Sequence, residues 1–156
     1  MGSKLKSSDV DVVTSMASPL RFGSDCTGLG TDTLAAKELK LNFKKVFGSE
    51  NDPIVRHHLK TSPGMRPEKL FNTAGKADCS VDVYCCGFPC QPYSSAGKRK
   101  GVEDKRDLSG TVANYITTKQ PTVFILENVC GFKQGRQKVE GGENKSEMVG
   151  FFDFLT

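Results

Sequence analysis

Residues 81–86 hold Val81, Val83, Tyr84, Cys85 and Cys86 in six positions and run straight into Gly87-Phe88-Pro89-Cys90-Gln91-Pro92. So short an apolar run, β-prone and bounded by loop formers, predicts a buried strand. Pro89 fixes its own φ and steers Phe88 away from helix, which would hold Cys90 in a defined turn at the strand's end. Beyond it the glycines at 97 and 101 let the segment hinge, and Lys98, Arg99, Lys100, Lys105 and Arg106 form a basic cluster suited to phosphates. A strand of this kind needs partner strands, and four more are legible.

Residues 20–23 read as the first, followed by a turn rich in Gly and Asx, Ser24-Asp25-Cys26-Thr27-Gly28-Leu29-Gly30. A helix over 33–41 is predicted next, capped by Thr31 or Asp32, with Leu34, Ala35, Leu39 and Leu41 facing inward. Strand, Gly-x-Gly turn and helix make the nucleotide-cradling unit of a doubly wound α/β sheet, although no third glycine follows at the dinucleotide spacing. The second strand, 45–50, ends in Glu50, about 20 residues past the turn, where a carboxylate suits the hydroxyls of a ribose. Asp52-Pro53 caps a helix running to about residue 60, on which His57 and His58 are expected as surface or half-buried residues rather than ligands. A Pro/Gly loop at 61–68 leads to a brief strand at 70–72. Past Arg106, Val112, Tyr115 and Ile116 mark one face of a helix that Gln120-Pro121 ends. Residues 122–126 form the fifth strand and deliver Glu127 and Asn128 at its carboxyl end.

Gly87-Phe88-Pro89-Cys90-Gln91-Pro92 with Ser94-Ser95 and Gly97 after it, then Glu127-Asn128-Val129 after a β-run, resembles the C5-cytosine DNA methyltransferase family. The resemblance runs from about residue 22 to 132 and covers the N-terminal part of that family's catalytic domain. It implies a Rossmann-like S-adenosylmethionine-dependent methyltransferase fold, incomplete at its C-terminal end. Three parts are expected: a mobile arm at 1–18, the cofactor-binding and catalytic α/β domain at 19–132, and at 133–156 a polar loop with the start of a truncated following element. The implied cofactor is S-adenosyl-L-methionine, held by Asp25, Cys26, Gly28, Leu29, Gly30, Glu50, Asn72, Phe88 and Leu108. Thr31 stands where the family commonly has glycine, Asn72 is the counterpart of an acid that accepts from the adenine amino group, and the Leu108 stretch lacks one glycine.

The same resemblance implies the chemistry. Cys90 would add to C6 of cytosine and turn C5 into an enamine carbon able to attack a methyl group. Glu127 would act as the acid at N3, Asn128 would orient its loop, and Pro89 and Gln91 complete the centre. Ser94, Ser95, Lys98, Arg99, Lys100 and Arg106 are the expected nucleic-acid contacts. A base inside a duplex cannot reach Cys90, so base flipping is implied.

Composition agrees with a soluble domain: 37% apolar and 26% charged residues disfavour wholesale disorder, and 22 basic against 18 acidic residues give +4. Six cysteines include no Cys-x-x-Cys, so they are expected as reduced core residues, and no metal is expected. The start nearly fits a myristoylation signal but has Lys6 where Ser or Thr is required. No run reaches transmembrane length, so the expected location is intracellular, in the nucleus of a eukaryote or the cytoplasm or nucleoid of a bacterium. Double-stranded DNA is the expected partner. The alternatives are transfer RNA, methylated by a sister branch through the same residues, and a truncated, catalytically silent module that binds cofactor or a partner. The apolar end, 148–156, either folds back onto the sheet or awaits a partner segment.

Overall fold

Strands joined by helical crossovers pair in parallel, and all five do. In the computed structural model, which describes residues 18–94 and 103–134, they are β1 (Leu20–Asp25), β2 (Phe43–Ser49), β3 (Lys69–Phe71), β4 (Val83–Gly87) and β5 (Val123–Glu127). One parallel sheet runs β3-β2-β1-β4-β5. Helices α1 (Thr31–Glu38), α2 (Pro53–Thr61) and α3 (Ser109–Lys119) link β1 to β2, β2 to β3 and β4 to β5, and α4 (Cys130–Gln134) follows β5. The parts expected at 1–18 and 133–156 lie almost wholly outside the described residues, as do Ser95, Lys98, Arg99 and Lys100.

The core sits between α3 and one face of the sheet. Val112, Ala113, Tyr115 and Ile116 of α3, the expected face, pack on Val46, Phe47, Tyr84 and Cys86. Tyr84 and Tyr115 stack with ring centroids 4.4 Å apart, and Phe47 lies 5.5 Å from Tyr115. Phe47 comes so close to β1 that a Cβ at Gly23 would fall 2.1 Å from its ring, which is why glycine stands there. The β1–β2 register shifts at the same point, between Phe22 and Gly23.

On α2, Asp52 caps as expected, accepting from Ile54 N (2.8 Å) and Val55 N (3.1 Å) ahead of Pro53. The expectation for α1 is corrected. The helix starts at Thr31, straight off Gly30 in the left-handed region, with no side-chain cap. Its buried residues are Thr33 and Ala36, while Leu34 and Leu39 are 48% and 54% exposed. The physical reason is Asp32, whose carboxylate pairs with the buried amine of Lys45 on β2. Lys45 Nζ also donates to Ser24 Oγ at 2.8 Å. This bond turns the Asp32 side of the helix, and Thr33 and Ala36 with it, onto the sheet. Leu39 then borders an open apolar trough of about 640 Å³ walled also by Phe22, Ala35, Leu41 and Ile125.

Candidate active site

Strand order reverses between β1 and β4, and doubly wound sheets open a ligand crevice at the carboxyl ends of the strands at such a point. A cavity of about 630 Å³ lies there. Its wall takes Cys26 from the end of β1, Ser49 and Glu50 from β2, residues 87–91 from β4, Glu127 from β5 and Leu108 from the start of α3. Cys90 and Glu127, 37 residues apart in the chain, thus face one space with Glu50.

The glycine turn lies beside the crevice, with Gly28 lining the neighbouring trough, which shares Cys26, Gly87 and Glu127 with the crevice wall. Gly28 and Gly30 have φ of 56° and 81°, conformations that cost glycine little. A Cβ built on Gly28 would meet nothing within 4 Å, so the backbone there is open to a ligand. Gly28 N donates to Glu50 Oε2 at 3.0 Å and Asp52 N to Oε1 at 2.9 Å, so the glutamate is fixed against the turn. Asp25, expected among the cofactor contacts, is fully buried and has its oxygens occupied. Oδ1 accepts from Ser49 Oγ at 2.5 Å, while Oδ2 accepts from Tyr84 OH at 3.0 Å and Gly75 N at 3.3 Å. It ties β1, β2, β4 and the loop after β3 into one knot. Leu29 is exposed and lines the apolar trough rather than the crevice. Asn72 is exposed just past β3, and the crevice wall uses its neighbours Thr73 and Ala74 instead.

The thiol side is built by the turn after β4. Tyr93 N and Ser94 N both donate to Cys90 O, at 2.9 and 2.8 Å, closing the turn that Pro89 and Pro92 prepare. Phe88 anchors it: its side chain is buried, edge-on to Phe132 at 5.3 Å and to Tyr93 at 6.3 Å. Gly131 of α4 touches the same turn so closely that a Cβ there would lie 2.1 Å from Tyr93 O. Asn128 Nδ2 donates to Phe88 O at 3.1 Å, so the β5 loop and the cysteine loop are joined directly. A Cβ on Gly87 would sit 3.2 Å from Glu127 Oε2, so Gly87 leaves the carboxylate its place. Gln91 is exposed at the rim.

Of the expected nucleic-acid contacts, Ser94 closes the turn through its amide, and Arg106 lines the crevice with its guanidinium held by Asp104, Nε at 2.9 Å and Nη2 at 2.8 Å. The loop's far end is tied back as well: Tyr93 OH donates to Asp107, which also accepts from Ser109 N and Oγ at the start of α3. Reading the sequence for motifs passed over Ser49, Asn51, Thr73 and Ala74. All four follow or end a strand at its carboxyl end, which is the signal that marks them. Among the described residues no group of three or more His, Cys, Asp or Glu is arranged to hold a metal ion, and no helix is long and apolar enough to cross a membrane.

This sheet order, glycine turn and paired thiol and carboxylate at the switch point define an α/β protein of the nucleotide-cradling kind. The sequence model of the family C-5 cytosine-specific DNA methylase matches residues 20–151, and the chain belongs to that family. The type II methyltransferase M.NgoBI of Neisseria gonorrhoeae is 40% identical over 98 residues, which are 58% of this chain and 31% of that protein. M.HhaI of Haemophilus parahaemolyticus is 31% identical over 125 residues, covering 79% of this chain and 38% of its own length. In fold, the solved structure of Spodoptera frugiperda DNMT2 superposes on 87% of this chain and 40% of its own, with a TM-score of 0.60 and 20% identity. The chain therefore spans well under half of the relatives it matches.

Proposed function

We propose that this chain carries the cofactor-binding and catalytic part of an S-adenosylmethionine-dependent DNA (cytosine-5) methyltransferase. The observation that carries the reading is the shared crevice: Cys90, Glu127 and Glu50 line a single cavity at the switch point, and Glu50 holds the glycine turn beside it through Gly28 N. The residues fit the cofactor. Gly28, with open space before its backbone, and Gly30 would admit the adenosyl group, Glu50 would take the ribose hydroxyls, and Cys26, Leu108 and the backbone at Phe88 would border it. The cofactor supplies an electrophilic methyl on a sulfonium.

The chain's own groups do the rest. The Cys90 thiolate adds to C6 of a flipped cytosine, pushing an electron pair toward C5 and N3. Glu127 places a carboxylic acid proton at N3, where that charge gathers. C5 then carries out the attack on the methyl, and loss of the C5 proton with departure of the Cys90 sulfur, the N3 proton returning to Glu127, restores the ring. Asn128, hydrogen-bonded to Phe88 O, holds the acid and thiol loops in register. Gln91, Ser94 and Ser95 would lie along the DNA backbone, with Lys98, Arg99, Lys100 and Arg106 meeting phosphates. The expected partner is double-stranded DNA, and the expected place is inside the cell: the nucleus in a eukaryote, the cytoplasm or nucleoid in a bacterium.

A duplex bearing 5-fluorocytosine tests this, because the fluorine blocks the last elimination and traps the thioether. With S-adenosylmethionine present, the chain should give a gel-stable adduct that Cys90→Ala abolishes. An adduct on transfer RNA alone would move the substrate to RNA. Folded, cofactor-binding protein that forms no adduct on either would make the chain a silent binding module.

A further inference from the structure

Six cysteines are free in the fold, and two of them sit at the ends of neighbouring strands. Asp25 of β1 is the register partner of Cys86 on β4, which sets Cys26 one step beyond that partner on the neighbouring strand. Strand spacing and rise put their Cα atoms about 6 Å apart, inside the window that a disulfide spans. Both residues line the apolar trough, and Cys26 packs against the core cluster that holds Cys86. Their surroundings differ. Cys86 is buried in the core beneath α3, whereas Cys26 is half-buried and forms part of the wall of both the trough and the crevice. Cys26 also holds a backbone φ of 52°, left-handed without being glycine, at the mouth of the glycine turn.

We propose that Cys26 and Cys86 form an oxidant-sensing thiol pair whose disulfide deforms the glycine turn and closes the crevice to the adenosyl ligand. The hydrogen bond from the Cys86 thiol holds the Cys26 thiol below its ordinary range, against burial and the carboxylates of Asp25 and Glu50, and the same contact with burial pushes Cys86 well above it. Cys26 is thus the attacking sulfur and Cys86 the resolving one. The Cys26 thiolate attacks one oxygen of hydrogen peroxide, the O–O bond breaks, and Cys26 sulfenic acid forms while the released hydroxide takes up the proton the thiol gave up and leaves as water. The Cys86 sulfur then displaces hydroxide from the Cys26 sulfur and its proton leaves with that hydroxide as a second water. Two thiols lose two electrons, and hydrogen peroxide becomes two waters.

The pairing stands on the strand register and the shared trough wall, while its effect on the adenosyl ligand rests on the proposed function. The full chain is treated with hydrogen peroxide, digested without reductant and mapped by mass spectrometry. A peptide joining Cys26 to Cys86, lost on adding dithiothreitol, is expected. Calorimetry with S-adenosylhomocysteine should show affinity weakened about tenfold or more by peroxide and restored by dithiothreitol, and Cys86→Ala should keep its affinity through the treatment. Cys26 joined to another cysteine, or oxidised without any link, would overturn the pairing. A mapped disulfide with unchanged affinity, or a Cys86→Ala variant that loses affinity equally, would overturn the switch. Reduced protein that binds no S-adenosylhomocysteine would fail the cofactor reading while the peptide map still decides the pair.

Discussion

Asp25 shows how a residue can stand in a ligand-binding turn and serve the fold instead. Its carboxylate sits in the sheet interior with donors from Ser49, Tyr84 and Gly75, and a buried charge is tolerated only with such partners. Ser49→Ala removes the shortest of these bonds and should destabilise the fold by about 1–3 kcal/mol, measured by chemical denaturation, with the chain still folded. Nothing in the Ser24-Asp25-Cys26 string announces this. The partners lie 24 to 59 residues away, and only the register of β1 between β2 and β4 collects them. Cys90 and Glu127 could be placed on the crevice wall because Glu127 ends β5 and Cys90 follows β4 in its turn, and the length and apolar content of both strands are local signals. Asn72 was not, since a three-residue strand leaves the following loop free to present Thr73 and Ala74 instead. Tyr84 gives the pH dependence. Burial first, then the charge near Cys86 and Asp25, holds its hydroxyl far above its ordinary value, and burial raises Tyr115 as well. Both stay protonated when folded and ionise near pH 10 when unfolded, so stability present below about pH 10 is lost as pH rises past it. Tyrosinate absorbance should therefore appear for these two in step with alkaline unfolding, not before it.

Among the elements, α2 and α1 make opposite cases. Asp52-Pro53 is a complete local instruction: a side chain that accepts two end amides and a ring that fixes the first helical φ. Asp52→Ala should cost about 1 kcal/mol, read as a lowered denaturation midpoint at unchanged slope. In α1 the apolar period points to Leu34, Ala35 and Leu39, yet both leucines stand exposed. Periodicity finds an apolar stripe without saying which neighbour covers it, and here a long-range ion pair from Asp32 to Lys45 sets the rotation. The fold class was thus readable from strands and turns, while the rotation of one helix required the tertiary contact.

At the scale of the molecule, the apolar trough and β5 belong together. Leu29, Leu34, Leu39, Val123, Phe124 and Ile125 are all exposed large apolar residues, and β5 pairs only with β4 among the described residues. Exposed apolar surface of this kind, with Leu29, Leu39 and Ile125 lining one trough, drives association. Sedimentation of the 156-residue chain should show reversible self-association, and Leu39→Glu with Ile125→Lys should shift it toward monomer without lowering the denaturation midpoint. The central position of β1 has a further result for how the protein is made. Its two neighbours come from later in the chain, β2 soon after it and β4 only after β3 has passed. On a ribosome, the first strand emerges with its glycine turn and waits half-paired until residue 87 is clear of the exit tunnel. Contacts of such long sequence separation form slowly. Until then the nascent chain offers an open strand edge and an unfinished glycine turn, a window in which a chaperone is useful and an early ligand finds no pocket.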